Sequence, residues 1–167
     1  MKGFLLAAGL AVITAAGTSQ PLPGFRPSGL FEEQQAVFEN PVAGTRVLIN
    51  APLKGFGSND RVLLVLYALP NGNTIEQTFG KRLRDDDDWH YDIQHIGAQT
   101  RFLRQMITDR TLVVAYLENE RKSWPAWSAA TADNREQVRK LVEEITSLFA
   151  PWKPDLVLNG HSGGGRV

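Results

Sequence analysis

The sequence predicts an α/β protein with a mostly parallel sheet and flanking helices. Three observations carry this expectation. Apolar runs of strand length recur along the chain, two stretches with helical spacing lie between them, and the order is strand, helix, strand, helix, strand. Such alternation builds βαβ crossovers, because parallel neighbours need a long connection and a helix supplies it. The chain has 167 residues, of which 43% are hydrophobic, enough for one packed domain.

The elements follow in order. Phe4 to Ala16 is an uncharged apolar run of 13 residues behind Lys2, with small residues at Ala15, Ala16, Gly17 and Ser19. That layout is the one of a secretory signal peptide, assigned to residues 1–19. The run is shorter than the roughly 20 apolar residues a membrane span requires. With no cysteine after it, a lipoprotein anchor is excluded. A soluble protein, secreted or periplasmic, is expected, with no membrane span. Residues 20–44 form an N-terminal extended segment, opened by a Pro/Gly-rich stretch over 20–30 that reads as a linker.

The domain itself covers 45–167. Arg46–Asn50 is a short apolar strand. Arg61–Leu69 is a continuous apolar run between turn residues, which fits a strand buried on both faces. Pro70-Asn71-Gly72-Asn73 ends it. Asp92 to Ile107 has helical spacing: Ile93, Ile96, Thr100, Leu103 and Ile107 share one face, and Asp92 is placed to cap it. Thr111–Leu117 is a second buried strand. In Asn134–Phe149, the residues Val138, Leu141, Val142, Ile145, Leu148 and Phe149 form one stripe, and Asp133 with Glu136 reads as a capping box. Pro151 stops this helix, and Asp155–Asn159 is the last strand.

Charge and composition narrow the function. Lys plus Arg and Asp plus Glu both number 18, and loss of Lys2 with a leader leaves −1. A balance this even argues against a nucleic-acid partner. The absence of cysteine removes disulfides, thiolate metal sites and a cysteine nucleophile.

The chemistry concentrates at the glycine-rich end. Gly160-His161-Ser162-Gly163-Gly164 matches G-x-S-x-G, directly after an apolar strand and where a helix should start. A serine on such a turn is pushed into a strained backbone conformation that lifts its hydroxyl clear of the sheet. The glycines allow close passage of the flanking backbone, and backbone N–H groups at a helix start favour developing negative charge.

At these residues the sequence resembles the α/β-hydrolase family, over roughly residues 45–167. The resemblance implies Ser162 as the nucleophile and the N–H of Gly163 as one oxyanion donor. It implies a second donor from the loop after Arg61–Leu69, placed in the segment Asn71, Gly72 and Asn73, where many lipases and esterases carry His-Gly instead. In the family, the triad acid and histidine follow the serine. Five residues follow Ser162 here, so the resemblance implies an acid and a histidine beyond Val167 and a fold truncated after the nucleophile strand. His161 occupies the x position, which normally points away from the reacting atoms.

Competing readings are weaker. The end lacks the Gly-Lys-Ser/Thr of a P-loop and the spacing of a dinucleotide fingerprint. The two helical stretches contradict a chymotrypsin-like β-barrel. Asp92, His95 and Ser162 occur in the subtilisin order, but Asp92 and His95 share one helical turn. Asp85–Asp88 reads as a solvated run rather than a calcium loop, since four adjacent Asp cannot all face one ion. Trp89, His90 and Tyr91 read mainly as loop packing. Arg121, Trp124 and Trp127 follow a strand's carboxyl end, where open α/β sheets bind ligands, and are the expected substrate contacts.

The expected function is a secreted serine hydrolase acting on a small-molecule or carbohydrate-linked acyl substrate, ester before amide, with no cofactor and no metal. The alternative is a catalytically inactive hydrolase-like fragment or binding domain.

Overall fold

The computed structural model describes residues 21–54, 56–82, 84–86 and 95–167. The expected leader, Asp92, Ile93 and the aromatic trio Trp89–Tyr91 lie outside the described residues. Among these residues six strands form one sheet: β1 (Arg26–Pro27), β2 (Glu33–Glu39), β3 (Thr45–Pro52), β4 (Val62–Ala68), β5 (Thr111–Asn119) and β6 (Asp155–Gly160). Their spatial order is β1-β2-β3-β5-β4-β6.

The sheet is mixed, which overturns the expectation of a mostly parallel, truncated hydrolase-like sheet. β1 with β2, β2 with β3, and β3 with β5 are antiparallel; only β4 with β5 and β4 with β6 are parallel. The reason lies in the connections. A tight turn over 40–44, closed by Asn40 N–H on the Thr45 carbonyl at 2.8 Å, folds β2 straight back on β3. Short links give antiparallel neighbours; only the helix-bearing links return a strand in the same direction. The N-terminal extended segment over 20–44 thus contributes two strands, one of them within the stretch read as a linker. β2 escaped notice because Glu33-Gln34-Gln35 are not the residues of a typical core strand.

Among the described residues four α-helices cover the faces: α1 (Ile75–Phe79), α2 (Ile96–Met106), α3 (Trp124–Ala130) and α4 (Asn134–Ser147). On one face Val47, Ile49, Leu64, Leu66, Val113 and Ala115 meet Trp124 and Trp127 of α3 and Leu141 and Ile145 of α4. On the other, Leu48, Tyr67, Val114 and Tyr116 meet Ile75 and Phe79 of α1 and Ile96 of α2. Alternating side chains of β3 and β5 therefore feed two cores, which explains their unbroken apolar runs. Tyr116 is fully buried against Phe79 and hydrogen-bonded to Thr100 at 3.0 Å, and burial pushes its phenol up to about 12. No helix among the described residues is long and apolar enough to cross a membrane.

Both helices expected from periodicity form, with altered details. α2 starts at Ile96 behind His95, whose φ of 55° is left-handed. Its buried residues are Gly97 and Thr100, while Leu103 is 46% exposed. The helix turns toward the sheet through Arg101 and Arg104, which grip the buried carboxylate of Glu33. The Asp133–Glu136 capping box does not form: the Asp133 side chain instead accepts from the Gln137 amide at 2.7 Å.

Among the described residues β6 pairs with β4 along one side only, with Leu156, Val157 and Leu158 at 41%, 42% and 70% exposure. An apolar edge strand with unpaired backbone groups templates further strands. Val157→Lys is expected to lower the aggregation rate of the 167-residue chain in light scattering, because a charge on the edge opposes strand addition. An unchanged rate would show that association runs through another surface.

Candidate active site

The site is built at the carboxyl end of β6. The strand delivers Gly160, and His161 continues the ladder by donating its N–H to the Ala68 carbonyl at 3.4 Å. Ser162 then turns with φ 52° and opens a short 3-10 helix over Ser162–Arg166. A non-glycine residue in the left-handed region costs on the order of 1–3 kcal/mol and persists only where the surroundings impose it.

The surroundings here are the glycines. Gly163 and Gly164 are buried, while Ser162 is exposed. A Cβ on Gly164 would overlap the Ala68 carbonyl oxygen and lie 2.8 Å from that of Leu69. A Cβ on Gly160 would overlap the Gly164 carbonyl and lie 2.7 Å from the Gly165 nitrogen. The Gly164 N–H donates to the His161 carbonyl at 2.9 Å and closes the turn. The turn is therefore pressed onto the end of β4, and the only residue that stands out from it with a hydroxyl is Ser162.

The loop after β4 reaches the same place. A Cβ on Gly163 would overlap the Asn71 side-chain oxygen and lie 2.8 Å from its nitrogen, so the Asn71 amide packs directly on Gly163. The loop is anchored on both sides. Leu69 N–H donates to the Leu117 carbonyl at 3.1 Å, and Thr74 and Gln77 form a reciprocal capping box at the start of α1. Glu118, at the end of β5, accepts the Ile75 N–H at 2.7 Å, and burial holds its carboxyl above the usual range. Arg46 crosses this corner, 2.7 Å from Glu76 and 3.7 Å from Glu118.

Of the oxyanion residues expected from sequence, the structure brings Asn71 against Gly163. It withdraws the Gly72 N–H, which donates to the Lys122 carbonyl at 2.8 Å and is thus occupied. Asn73 stays in the loop, half-buried.

The expected substrate contacts differ in burial. Trp124 and Trp127 are each 2% exposed and stack edge-to-face at 5.5 Å inside the main core. Trp127 donates its indole N–H to the Ala43 carbonyl at 3.4 Å, tying α3 to the β2–β3 turn. Burial makes these rings packing residues, and both also reach a cleft of about 550 Å³ that Asn134, Arg135 and Arg166 line with them. Arg121 is exposed in the turn before α3, where its N–H donates to the Asn119 side chain at 3.1 Å. Sequence reasoning missed the role of Asn119 itself. This buried amide also accepts the Ser123 N–H at 3.2 Å, and so shapes the whole turn at the end of β5.

Asp85 and Asp86 are exposed, and among the described residues no group of three or more His, Asp or Glu is placed to hold a metal ion. Compared with known proteins, the chain matches no family model, no curated protein and no solved structure. The resemblance to hydrolases therefore rests on the elbow residues alone, not on the sheet or on a relative.

Proposed function

We propose that the protein is a serine hydrolase that cleaves ester bonds, and secondarily amide bonds, through Ser162. The observation that carries this reading is the left-handed backbone of Ser162 on a turn whose neighbouring glycines admit no side chain. A fold accepts such strain where an exposed hydroxyl must be held rigidly.

In this reading the Ser162 oxygen attacks the acyl carbonyl carbon and its proton passes to a histidine base oriented by a carboxylate. That pair is supplied from outside the described environment of the turn. The carbonyl oxygen becomes an oxyanion held by the Gly163 N–H and a donor of the Asn71–Asn73 loop, Gly72 excepted. The protonated leaving group departs, and water releases the acyl group from Ser162. The apolar leader supports action outside the cytoplasm.

The test is covalent labelling of the full natural chain with a fluorophosphonate. Ser162 is expected to take the label, with the modified peptide identified by mass spectrometry, and Ser162→Ala is expected to abolish it. A folded natural chain that takes no label would overturn the reading and leave a non-catalytic binding domain as the function.

A further inference from the structure

We infer that the outward face of α2 docks a second copy of this chain, α2 against α2, antiparallel about a two-fold axis. The inference stands apart from the hydrolase reading. α2 is turned inside out. Its charged side chains, Arg101 and Arg104, point inward onto the buried Glu33 carboxylate, 25% and 14% exposed. Its large apolar side chains Phe102, Leu103 and Met106 point outward, 61%, 46% and 66% exposed. Ala98, Gln99 and Gln105 complete the outward face, and none of the six residues is charged. A helix on the surface of a globular protein ordinarily shows the reverse, an apolar stripe on the core and charge toward water. The segment before β2 extends the face. Phe31, 48% exposed, carries the Arg101 guanidinium over its ring at 3.7 Å, and Leu30 beside it is 86% exposed.

Three observations select a second copy as the occupant. The first is charge. A two-fold contact sets one patch on itself, so a charged face would oppose like charges; this face opposes none. A lipid-binding helix would carry Lys or Arg along its polar border, whereas the arginines of α2 are turned away and engaged by Glu33. The second is area. At about 200 Å² for a fully exposed large side chain, the five apolar residues leave roughly 600 Å² open, most of the roughly 800 Å² per partner of a standard interface. The third is spacing. With the axis at the level of Phe102, positions equally far from it on either side face each other. Gln99 then meets Gln105 of the second copy, and the two amides can exchange hydrogen bonds. Ala98 meets Met106, small against large, which interdigitation requires. Phe102 meets its own counterpart on the axis.

The experiment is sedimentation equilibrium of the full natural chain over about 1–100 μM, the affinity range of a contact of this size. A monomer–dimer equilibrium is expected. Phe102→Glu sets two carboxylates on the axis and is expected to raise the dimer dissociation constant about tenfold or more. A sign-dependent pair of variants reads the geometry itself. Gln99 and Gln105 lie six positions apart on one helix, so they do not meet within a copy. Gln99→Glu with Gln105→Glu opposes like charges across the axis twice and is expected to weaken the dimer about tenfold. Gln99→Glu with Gln105→Lys opposes unlike charges and is expected to stay near the unsubstituted value. Circular dichroism and the urea midpoint should hold in every variant, since all three positions are exposed. A chain that stays monomeric over this range, or an equal effect of the two double variants, would overturn the inference. So would a dimer that survives Phe102→Glu and is lost in Val157→Lys, which would place the contact on β6. A monomer that cosediments with vesicles of phosphatidylcholine and phosphatidylglycerol, and no longer does so as Phe102→Glu, would overturn it in favour of a lipid surface.

Discussion

Gly164→Ala is expected to abolish fluorophosphonate labelling although the Ser162 hydroxyl remains in the chain. The new Cβ would overlap the carbonyl oxygen of Ala68 and lie 2.7 Å from its carbon. Both atoms belong to the backbone of β4, which is hydrogen-bonded to β5 on one side and β6 on the other. A flexible side chain could swing aside; a central strand cannot. The turn must therefore lift off the sheet, which breaks the His161–Ala68 contact and releases Ser162 from its left-handed conformation. Overpacking of this kind costs about 1–3 kcal/mol, and more where the obstacle is backbone. Gly165→Ala supplies the control. A Cβ there meets only the Gly160 carbonyl, at an ordinary 3.8 Å, so labelling should survive. Equal labelling of the two variants would show that the turn does not need close contact with β4.

Glu33→Ala is expected to destabilise the fold by about 3–5 kcal/mol, the usual cost of stranding a buried charge by deleting its partner. Glu33 is 2% exposed and takes two bonds from Arg101, at 2.7 and 3.1 Å, and one from Arg104 at 3.3 Å. Arg104 also donates to the carbonyls of Leu112 and Asn50, both at 3.0 Å, and burial pulls its guanidinium down to about 10. Without the carboxylate, two cations would face each other across a desolvated seam between α2 and β2. Urea unfolding should show the loss as a lower midpoint. The triple change Glu33→Leu, Arg101→Leu, Arg104→Met should recover most of it, since an apolar replacement of a buried triad is often neutral or better. A single-variant loss below about 1 kcal/mol would mean that water reaches the seam and screens the cluster. The exposed Arg139–Glu136 pair on α4, with both side chains near 60% exposure, shows the contrast: solvent screens pairs of that kind, and they add little.

Local signals in the sequence located much of the secondary structure. The apolar runs at 46–50, 61–69, 111–117 and 155–159 mark β3 to β6 to within a few residues, because an apolar run bounded by turn residues has few other stable uses. The stripe from Val138 to Phe149 marks α4 for the same reason. Gly160 and Gly164 announced a turn with close backbone passage, since glycine alone lacks a Cβ; the atoms that crowd Gly164, from Ala68 and Leu69, arrive from a distant segment. Position 162 held the one hydroxyl on that turn.

Other features are non-local, and no window of sequence contains them. The direction of each strand depends on which neighbour its connection lets it reach, so the antiparallel half of the sheet was invisible. Glu33 can be buried in β2 only because two arginines, 68 and 71 residues away, arrive on α2. Trp124 and Trp127 looked like surface contacts at a strand end, yet the turn shaped by Asn119 folds them into the core. The same turn brings Lys122 beside Gly72, and so closes one backbone donor. Residue types by themselves determined where the chain must be apolar, helical or bare of side chains; the pairing of charges and the sharing of one rim by three loops were decided only when distant segments packed.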